Sequence, residues 1–311
     1  MWGATASGKT TFLAALSLAL AQAGGAWNVA AADPASTNEL IDMTRALHGL
    51  KTFPEATQGV SYLEWLLNGT VSETVPKGRF RKETRSRPVS VGLSLVDPSG
   101  EGWRSANRGG VLQDEVVGRL ADSQGIIYVF DPIREFNQGD AYEHTIGVCM
   151  QLAGRLAGTP GFDGRLPHHV AVCVTKFDEL LVYETARRLG LVATDPLDRF
   201  GFPRVPDDDA PELFGKLCEV SDSGDGDLIM QTLQQYFRPE RVRFFVSSAI
   251  GFYADPRTGK FDSRDPQNMV PDSQAPHGYR IRGPVHPINV VEPVMWLSEQ
   301  ISGYQPVTAT R

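Results

Sequence analysis

The chain has few cysteines and histidines, and their spacing excludes several kinds of site. Its 311 residues include three cysteines and six histidines. Cys149, Cys173 and Cys218 stand far apart, so they form neither a metal-binding pattern nor a disulfide framework. The histidines do not cluster at a catalytic spacing. A reducing compartment, and therefore a cytoplasmic location, is the expectation that follows.

Long apolar runs and a surplus of positive charge are also missing. Beyond the alanine-rich start, no stretch approaches the ~18 apolar residues of a membrane-spanning helix, so we expect no membrane span. The formal net charge of −7 argues against a nucleic-acid partner. With 41% hydrophobic and 22% charged residues, the composition is typical of a globular protein with a large core.

The chain begins with the spacing of a phosphate-binding loop. Residues 3–10 read G-x-x-x-x-G-K-T, and an apolar helical pattern follows from Phe12. In such a loop, backbone N–H groups surround an anion, and the helix adds the positive end of its dipole. Lys9 would reach the β- and γ-phosphates as a catalytic residue, and the Thr10 hydroxyl would ligate Mg²⁺. The predicted nucleotide-binding residues here are Gly3, Ala4, Thr5, Ala6, Ser7, Gly8, Lys9, Thr10 and Thr11.

The same start also has one basic residue before an apolar run, which is the pattern of a secretory signal peptide. A signal peptide has no need of the full phosphate-loop spacing, so we favour the loop. Only Met1 and Trp2 precede Gly3, although a buried strand normally leads into such a loop. We therefore expect the first strand to be truncated, and upstream coding sequence to supply about five or six apolar residues.

Short apolar runs that end in polar residues predict a parallel sheet buried on both faces. They occupy residues 125–130, 170–174 and 243–246, and helical stretches separate them. In open parallel sheets, ligands bind beyond the carboxyl ends of the strands. The polar residues that follow these runs are therefore expected to meet in one crevice.

The period-two alternation of Arg87–Val96 predicts another strand, and a D-x-x-G sequence, Asp97-Pro98-Ser99-Gly100, follows it. Asp97 would hold Mg²⁺, usually through water, and the Gly100 N–H would sense a γ-phosphate. Asp-Pro-Ser-Gly is also ordinary turn chemistry. The motif gains meaning from the phosphate loop that precedes it in the chain.

Residues 175–178, Thr-Lys-Phe-Asp, resemble the [N/T]-K-x-D motif with which GTPases read the base. Asp178 would accept hydrogen bonds from guanine N1 and the 2-amino group, whereas adenine presents a mismatched edge. Lys176 would pack over the base. Thr175 replaces the commoner Asn and loses an amide contact. The alternative is a surface loop with an incidental Lys and Asp.

A serine-alanine element, Ser247-Ser248-Ala249, follows the last apolar run. It matches the S-A-x sequence whose backbone N–H meets guanine O6, which makes Ser248 and Ala249 predicted base contacts. The element alone is nearly uninformative. Four motifs in the right order, each after the right kind of element, together indicate one guanine-nucleotide site.

On these motifs the chain resembles the P-loop GTPases of the Ras-like and translation-factor-related class over nearly its full length. More narrowly, it is similar to the bacterial double-GTPase group of conflict or signalling gene clusters. The narrower likeness is carried by residues 3–11, 28–33, 53–57 and 288–293. The resemblance implies an α/β, P-loop NTPase fold, with a mostly parallel sheet in Ras-like order flanked by helices.

One domain over residues 1–311 accommodates this fold, with two insertions. Residues 194–226 are acidic and rich in Pro, Gly and Asp, which predicts a solvated insertion. Residues 253–286 have little periodicity, which predicts a long loop or a partly ordered excursion.

The resemblance also implies a switch that binds GTP or GDP with Mg²⁺ and acts through a protein effector or a second GTPase. It implies a switch threonine that completes the Mg²⁺ coordination, and Thr57 is the candidate. The alternative for Thr57 is an ordinary threonine in a Pro-containing loop. Glu101 stands where such GTPases often place the Gln that orients the attacking water, and its charge would oppose the γ-phosphate. We therefore expect slow hydrolysis without a partner or an arginine.

Arginines are available in the basic run of residues 77–87 and at Arg104 and Arg108. We expect that run to form a solvated hairpin or a partner-docking surface, and an internal arginine finger is the alternative. Two other functions stay open. A P-loop ATPase or kinase would keep Lys9, Thr10 and Asp97 but would have no use for Asp178. A non-hydrolysing nucleotide-binding scaffold would be compatible with Glu101.

Overall fold

The computed structural model describes residues 1–4, 6–22, 27–54, 61–77, 81–97, 111–221, 224–275 and 277–301. The α-helices in this part of the chain are α1 (Lys9–Gln22), α2 (Pro34–Arg45), α3 (Val111–Asp122), α4 (Pro132–Gln138), α5 (Ala141–Leu156), α6 (Leu180–Leu189), α7 (Ala210–Glu219), α8 (Gly226–Tyr236) and α9 (Glu292–Ile301). A π-helical turn, Ala46–Leu50, continues α2, and a 3₁₀ turn, Pro239–Arg241, precedes β8.

The strands are β1 (Trp27–Ala31), β2 (Ser61–Lys77), β3 (Arg81–Asp97), β4 (Gly125–Phe130), β5 (His169–Val174), β6 (Ala193–Thr194), β7 (Pro203–Arg204), β8 (Val242–Val246), β9 (Ala254–Asp255), β10 (Lys260–Phe261), β11 (Met269–Pro271) and β12 (Tyr279–Ile281). Strands β1, β2 and β3 form an antiparallel sheet, and β4, β5 and β8 form a parallel one. The short strands pair as β6–β7, β9–β10 and β11–β12.

The parallel sheet is buried on both faces, and successive residues of a strand enter different cores. In β4, Tyr128 packs with α3, α5, α7 and α8 on one face, whereas Val129 packs with α1 and α9 on the other. Val129 pairs with Cys173, and Cys173 pairs with Phe245, so the same face continues across the sheet. The predicted parallel sheet with helices on both faces is confirmed, and the chain has a mixed α/β fold.

Met1 and Trp2 lie between the two larger sheets. The Met1 amine donates to the Ser94 carbonyl of β3 at 2.9 Å. The Trp2 N–H donates to the Ile127 carbonyl at 2.8 Å, and the Trp2 carbonyl accepts from the Val129 N–H at 2.7 Å. Trp2 is therefore a parallel neighbour of β4 on the side opposite β5. The residues that lead into the glycine-rich loop are in the middle of the strand array.

Part of the segment expected to be a solvated insertion belongs to the core. Helix α7 lies within residues 194–226, and its Leu213 and Phe214 are fully buried. The Phe214 ring meets Phe130 edge-on, with ring centroids 4.8 Å apart. The solvated prediction was wrong for this helix because the acidic residues around it dominate the composition and hide its apolar face. Residues 253–286 contain the pairs β9–β10 and β11–β12, and Ile281 is buried there.

None of the helices in the described ranges combines the length and the apolar character that crossing a membrane requires.

The close approach of α7 and α8 predicts a strong effect of Gly226→Ala. A Cβ at this position would lie 1.9 Å from the Cys218 carbonyl oxygen, so the backbones must separate. We expect a loss of about 1–3 kcal/mol in the free energy of unfolding, measured by urea denaturation. Gly147→Ala in α5 is the matched control, because its Cβ would meet nothing within 4 Å. It is expected to leave stability unchanged or raise it by up to about 1 kcal/mol, and equal effects of the two variants would contradict the packing argument.

Candidate functional site

Two polar turns lie on either side of the carboxyl end of β4. A Cβ built on Gly3 would lie 2.5 Å from the Val129 carbonyl oxygen, so the glycine-rich loop starts in tight contact with this strand. On the other side, the Thr175 N–H and hydroxyl both donate to the Phe130 carbonyl at 2.9 Å. Since adjacent strands are spaced by about 4.8 Å, the two backbones that flank β4 are about 10 Å apart.

Backbone carbonyls of the glycine-rich loop accept hydrogen bonds from Lys9, the lysine of the motif. Gly8 has φ +91°, and Ala6 has φ +60°. Lys9 opens α1, and its Nζ donates to the carbonyls of Gly3 at 3.2 Å and Ala4 at 2.9 Å. This contact buries the lysine to 4% exposure and keeps its charge over the loop.

Three residues with hydroxyl side chains lie near Lys9 in the sequence: Ser7, Thr10 and Thr11. Ser7 is fully buried, and within the described residues its Oγ has no hydrogen-bond partner. A buried unpaired hydroxyl is costly, which marks a position where a further acceptor or donor fits. Thr10 and Thr11 follow in the first turn of α1 and are partly exposed.

The Thr175–Asp178 turn is fixed by a buried aromatic side chain. Phe177 is fully buried, and its ring lies edge-on to Phe252 with centroids 5.2 Å apart. The Phe177 N–H donates to the Ser247 carbonyl at 3.1 Å. Lys176, immediately before it, has φ +59°, a left-handed conformation that is uncommon outside glycine. The turn is thus held between β5 and the residues that follow β8.

Asp178 and Ser248 form a buried pair between two of the predicted motifs. The Ser248 hydroxyl donates to Asp178 Oδ1 at 2.5 Å and accepts from the Gly251 N–H at 2.8 Å. Burial raises the pKa of Asp178 to about 6, and the hydrogen bond from Ser248 opposes that rise. The carboxylate is therefore mostly ionised at pH 7.5, in a fixed orientation.

The serine-alanine element contributes differently from the sequence prediction. The Ser248 N–H donates to the Ile288 carbonyl at 3.0 Å. Any contact from this element to a base therefore falls to the next N–H, that of Ala249. The hydroxyl of Ser248, which sequence reasoning did not single out, orients Asp178 instead. The one sequence feature that could have indicated this role is the serine at position 248, because an alanine there could not donate a hydrogen bond to Asp178.

Two further carboxylates stand beside Lys176. Its Nζ lies 2.7 Å from Asp131 Oδ2, at the end of β4. Burial and the neighbouring charge of Asp178 raise the pKa of Glu179 to about 7. Sequence reasoning gave neither residue a role. Asp131 was expected only to face the common crevice, as the polar residue after the run 125–130, and Glu179 lies one position beyond the motif.

Several predicted site residues are not part of the described geometry. Thr5, Thr57, Gly100 and Glu101 lie outside the described residues. Asp97 is the last residue of β3, paired with Ser61, and only its backbone is described. In the described ranges, no group of three or more His, Cys, Asp or Glu could hold a metal ion. The predicted Mg²⁺ ligands, Thr10, Thr57 and Asp97, are two hydroxyls and one carboxylate and so are not a group of that kind.

Neither a protein-family model nor a curated protein matches this chain. The interpretation of the site therefore depends on its own residues and geometry.

The burial of Asp178 predicts a pH-dependent stability difference between the wild type and Asp178→Asn. The pKa is higher in the folded state than in the unfolded state, so the carboxyl favours folding below about pH 4. That contribution is lost as the pH rises through about 6. We expect the variant to gain stability relative to the wild type between pH 4 and 7, by about 3 kcal/mol at most.

Urea denaturation at several pH values measures this difference. Asp114→Asn is the matched control, because that side chain is 80% exposed. Its difference from the wild type should stay within about 0.5 kcal/mol across the same range. A pH-independent difference for Asp178→Asn would show that this carboxyl is not held in a desolvated environment.

Proposed function

We propose that the chain is a guanine-nucleotide-binding switch protein with a P-loop NTPase fold, which hydrolyses GTP to GDP with Mg²⁺. One observation carries this proposal: the glycine-rich loop and the Thr175–Asp178 turn flank the end of the same strand, β4. One turn offers backbone N–H groups and a lysine, and the other offers a buried carboxylate. A ligand with phosphates at one end and a guanine at the other matches both.

The phosphate end is supported by the loop and by its place in the sheet. Trp2 lies between β3 and β4, where the P-loop architecture places the strand that enters the loop. Lys9 has three ammonium donors, so it can keep a contact to the loop carbonyls while donating to phosphate oxygens. The buried Ser7 hydroxyl would gain a phosphate oxygen as its partner. The first turn of α1 adds N–H groups and the positive dipole end.

The base end is supported by the orientation of Asp178. An ionised carboxylate accepts two parallel N–H bonds, which is the pattern that guanine N1 and its 2-amino group present. Adenine offers no such pair of donors, so the buried carboxylate would gain no bond from that base. Ser248 fixes Asp178 in advance, and the Ala249 N–H would meet the base O6.

The proposals of a metal ion and of a hydrolytic step are supported mainly by sequence motifs. When bound, Mg²⁺ would neutralise negative charge on the phosphate oxygens. Thr10 is next to Lys9 in the first turn of α1, which suits a hydroxyl ligand, and Asp97 ends a strand of the adjoining sheet. Thr57 and Gly100 would sense the γ-phosphate, and Glu101 would face the attacking water. Hydrolysis is slow without help, and the output is binding to a protein effector or a second GTPase in the cytoplasm.

Base selectivity is tested by titration calorimetry with GDP and ADP. We expect the wild type to bind GDP at least 100-fold more tightly than ADP, because only guanine satisfies Asp178. Asp178→Asn should weaken GDP binding and favour XDP, because an amide presents a donor to the xanthine 2-oxo group. Asp114→Asn, the same change at an exposed carboxylate, should behave as the wild type. Equal affinity for GDP and ADP, or a preference for ADP, would favour an ATPase or kinase instead.

Phosphate binding and turnover are tested with Lys9→Met. We expect GDP affinity to fall at least about 100-fold, since the variant loses a charged contact to the phosphates. Lys216→Met is the matched control, because that lysine is about half exposed and pairs with Glu219. Single-turnover phosphate release from GTP by the wild type measures hydrolysis. Tight GDP binding without any phosphate release would identify a nucleotide-binding scaffold rather than a GTPase.

A further inference from the structure

The ammonium of Lys176 is paired with a carboxylate from a different strand. Its Nζ lies 2.7 Å from Asp131 Oδ2, and the Asp131 side chain is only 3% exposed whereas that of Lys176 is 36% exposed. A buried carboxylate needs a partner for its charge, and the partner it finds is the base-stacking lysine of the predicted motif. The ion pair therefore connects the end of β4 with the turn after β5.

The two oxygens of Asp131 have separate tasks. Oδ1 accepts from the N–H groups of Ile133 at 3.0 Å and Arg134 at 3.1 Å, which caps α4. Oδ2 faces Lys176. An Asn at this position would keep an oxygen for the helix cap, since Asn caps helices as well as Asp does. It would lose the charge that attracts the lysine.

Lys176 has other carboxylates within electrostatic reach. Burial raises the pKa of both Asp178 and Glu179, which follow it in the same turn, and the charge of Lys176 opposes that rise. A lysine that paired with Asp178 would occupy the group that reads the base. The left-handed backbone of Lys176 and the contact to Asp131 together keep the ammonium at the end of β4.

We propose that Asp131 is a positioning residue, which anchors the Lys176 ammonium so that its methylene stem covers the base while Asp178 stays available to the base edge. This inference rests on the proposed function, because it assumes a guanine between the two turns. The cap of α4 is the competing role of Asp131, and it would involve no nucleotide.

A double-mutant cycle separates these roles. The variants are Asp131→Asn, Lys176→Met and the double variant, and calorimetry gives their GDP affinities. We expect Asp131→Asn to weaken GDP binding about tenfold and Lys176→Met to weaken it at least as much. The double variant should bind no more weakly than Lys176→Met alone, because both changes remove the same anchored lysine.

Inorganic pyrophosphate serves as a probe without a base. Its affinity should stay within about twofold of the wild type in all three variants, because Lys176 acts on the base alone. Asp140→Asn is the matched control, since Asp140 pairs with Arg134 and His144 beside the same helix but does not contact Lys176. It should leave GDP affinity unchanged.

Each other outcome contradicts a stated part of the argument. If the wild type does not bind GDP, the proposed function fails, and this inference fails with it. If the wild type binds GDP and Asp131→Asn binds it equally well, only the role of Asp131 is overturned. Additive losses would show that Asp131 acts on nucleotide binding independently of Lys176. A parallel fall in pyrophosphate affinity and melting temperature would show that the change disturbs the fold rather than the lysine, and either result would overturn the positioning role.

Discussion

The arrangement of this protein depends on the pairing of β4 along both of its edges. Trp2 bonds to one side of the strand and β5 to the other, and side chains of β4 fill the cores on both faces. Every backbone group in such a strand needs a partner, because water cannot reach it. The chain that enters the glycine-rich loop and the chain that enters the Thr175–Asp178 turn are therefore held at fixed distances from one strand.

Burial also removes water from the charged side chains near the carboxyl end of β4. Asp178 is 7% exposed and Asp131 is 6% exposed, so neither carboxylate is well hydrated. A hydroxyl and an ammonium, from Ser248 and Lys176, compensate them. Clusters of desolvated, partnered carboxylates are expensive for a fold, which is why they are more frequent where a ligand is recognised. Lys9 is likewise a buried charge with protein partners, since it is 4% exposed and contacts the carbonyls of its own loop.

Sequence reasoning located the parallel strands well, because continuous apolar runs are the direct signal of strands buried on both faces. The runs at 125–130, 170–174 and 243–246 differ from β4, β5 and β8 by at most one residue at either end. It did less well for α7, whose short apolar face lies among acidic residues. It also treated Arg87–Val96 as a short strand, whereas β3 begins at Arg81 and pairs with β2 over 17 residues.

What the sequence determined by itself was the presence, order and spacing of the loop, the Thr175–Asp178 turn and the serine-alanine element, since each is a local run of residues. Only the tertiary structure decided which groups within them are partners. Ser248 meets Asp178 across 70 positions, and Asp131 meets Lys176 from the neighbouring strand. Such pairs leave no local pattern, because parallel strands join residues that are distant along the chain. The contacts at the edge of the sheet follow from strand pairing, and strand pairing exists only in the folded protein.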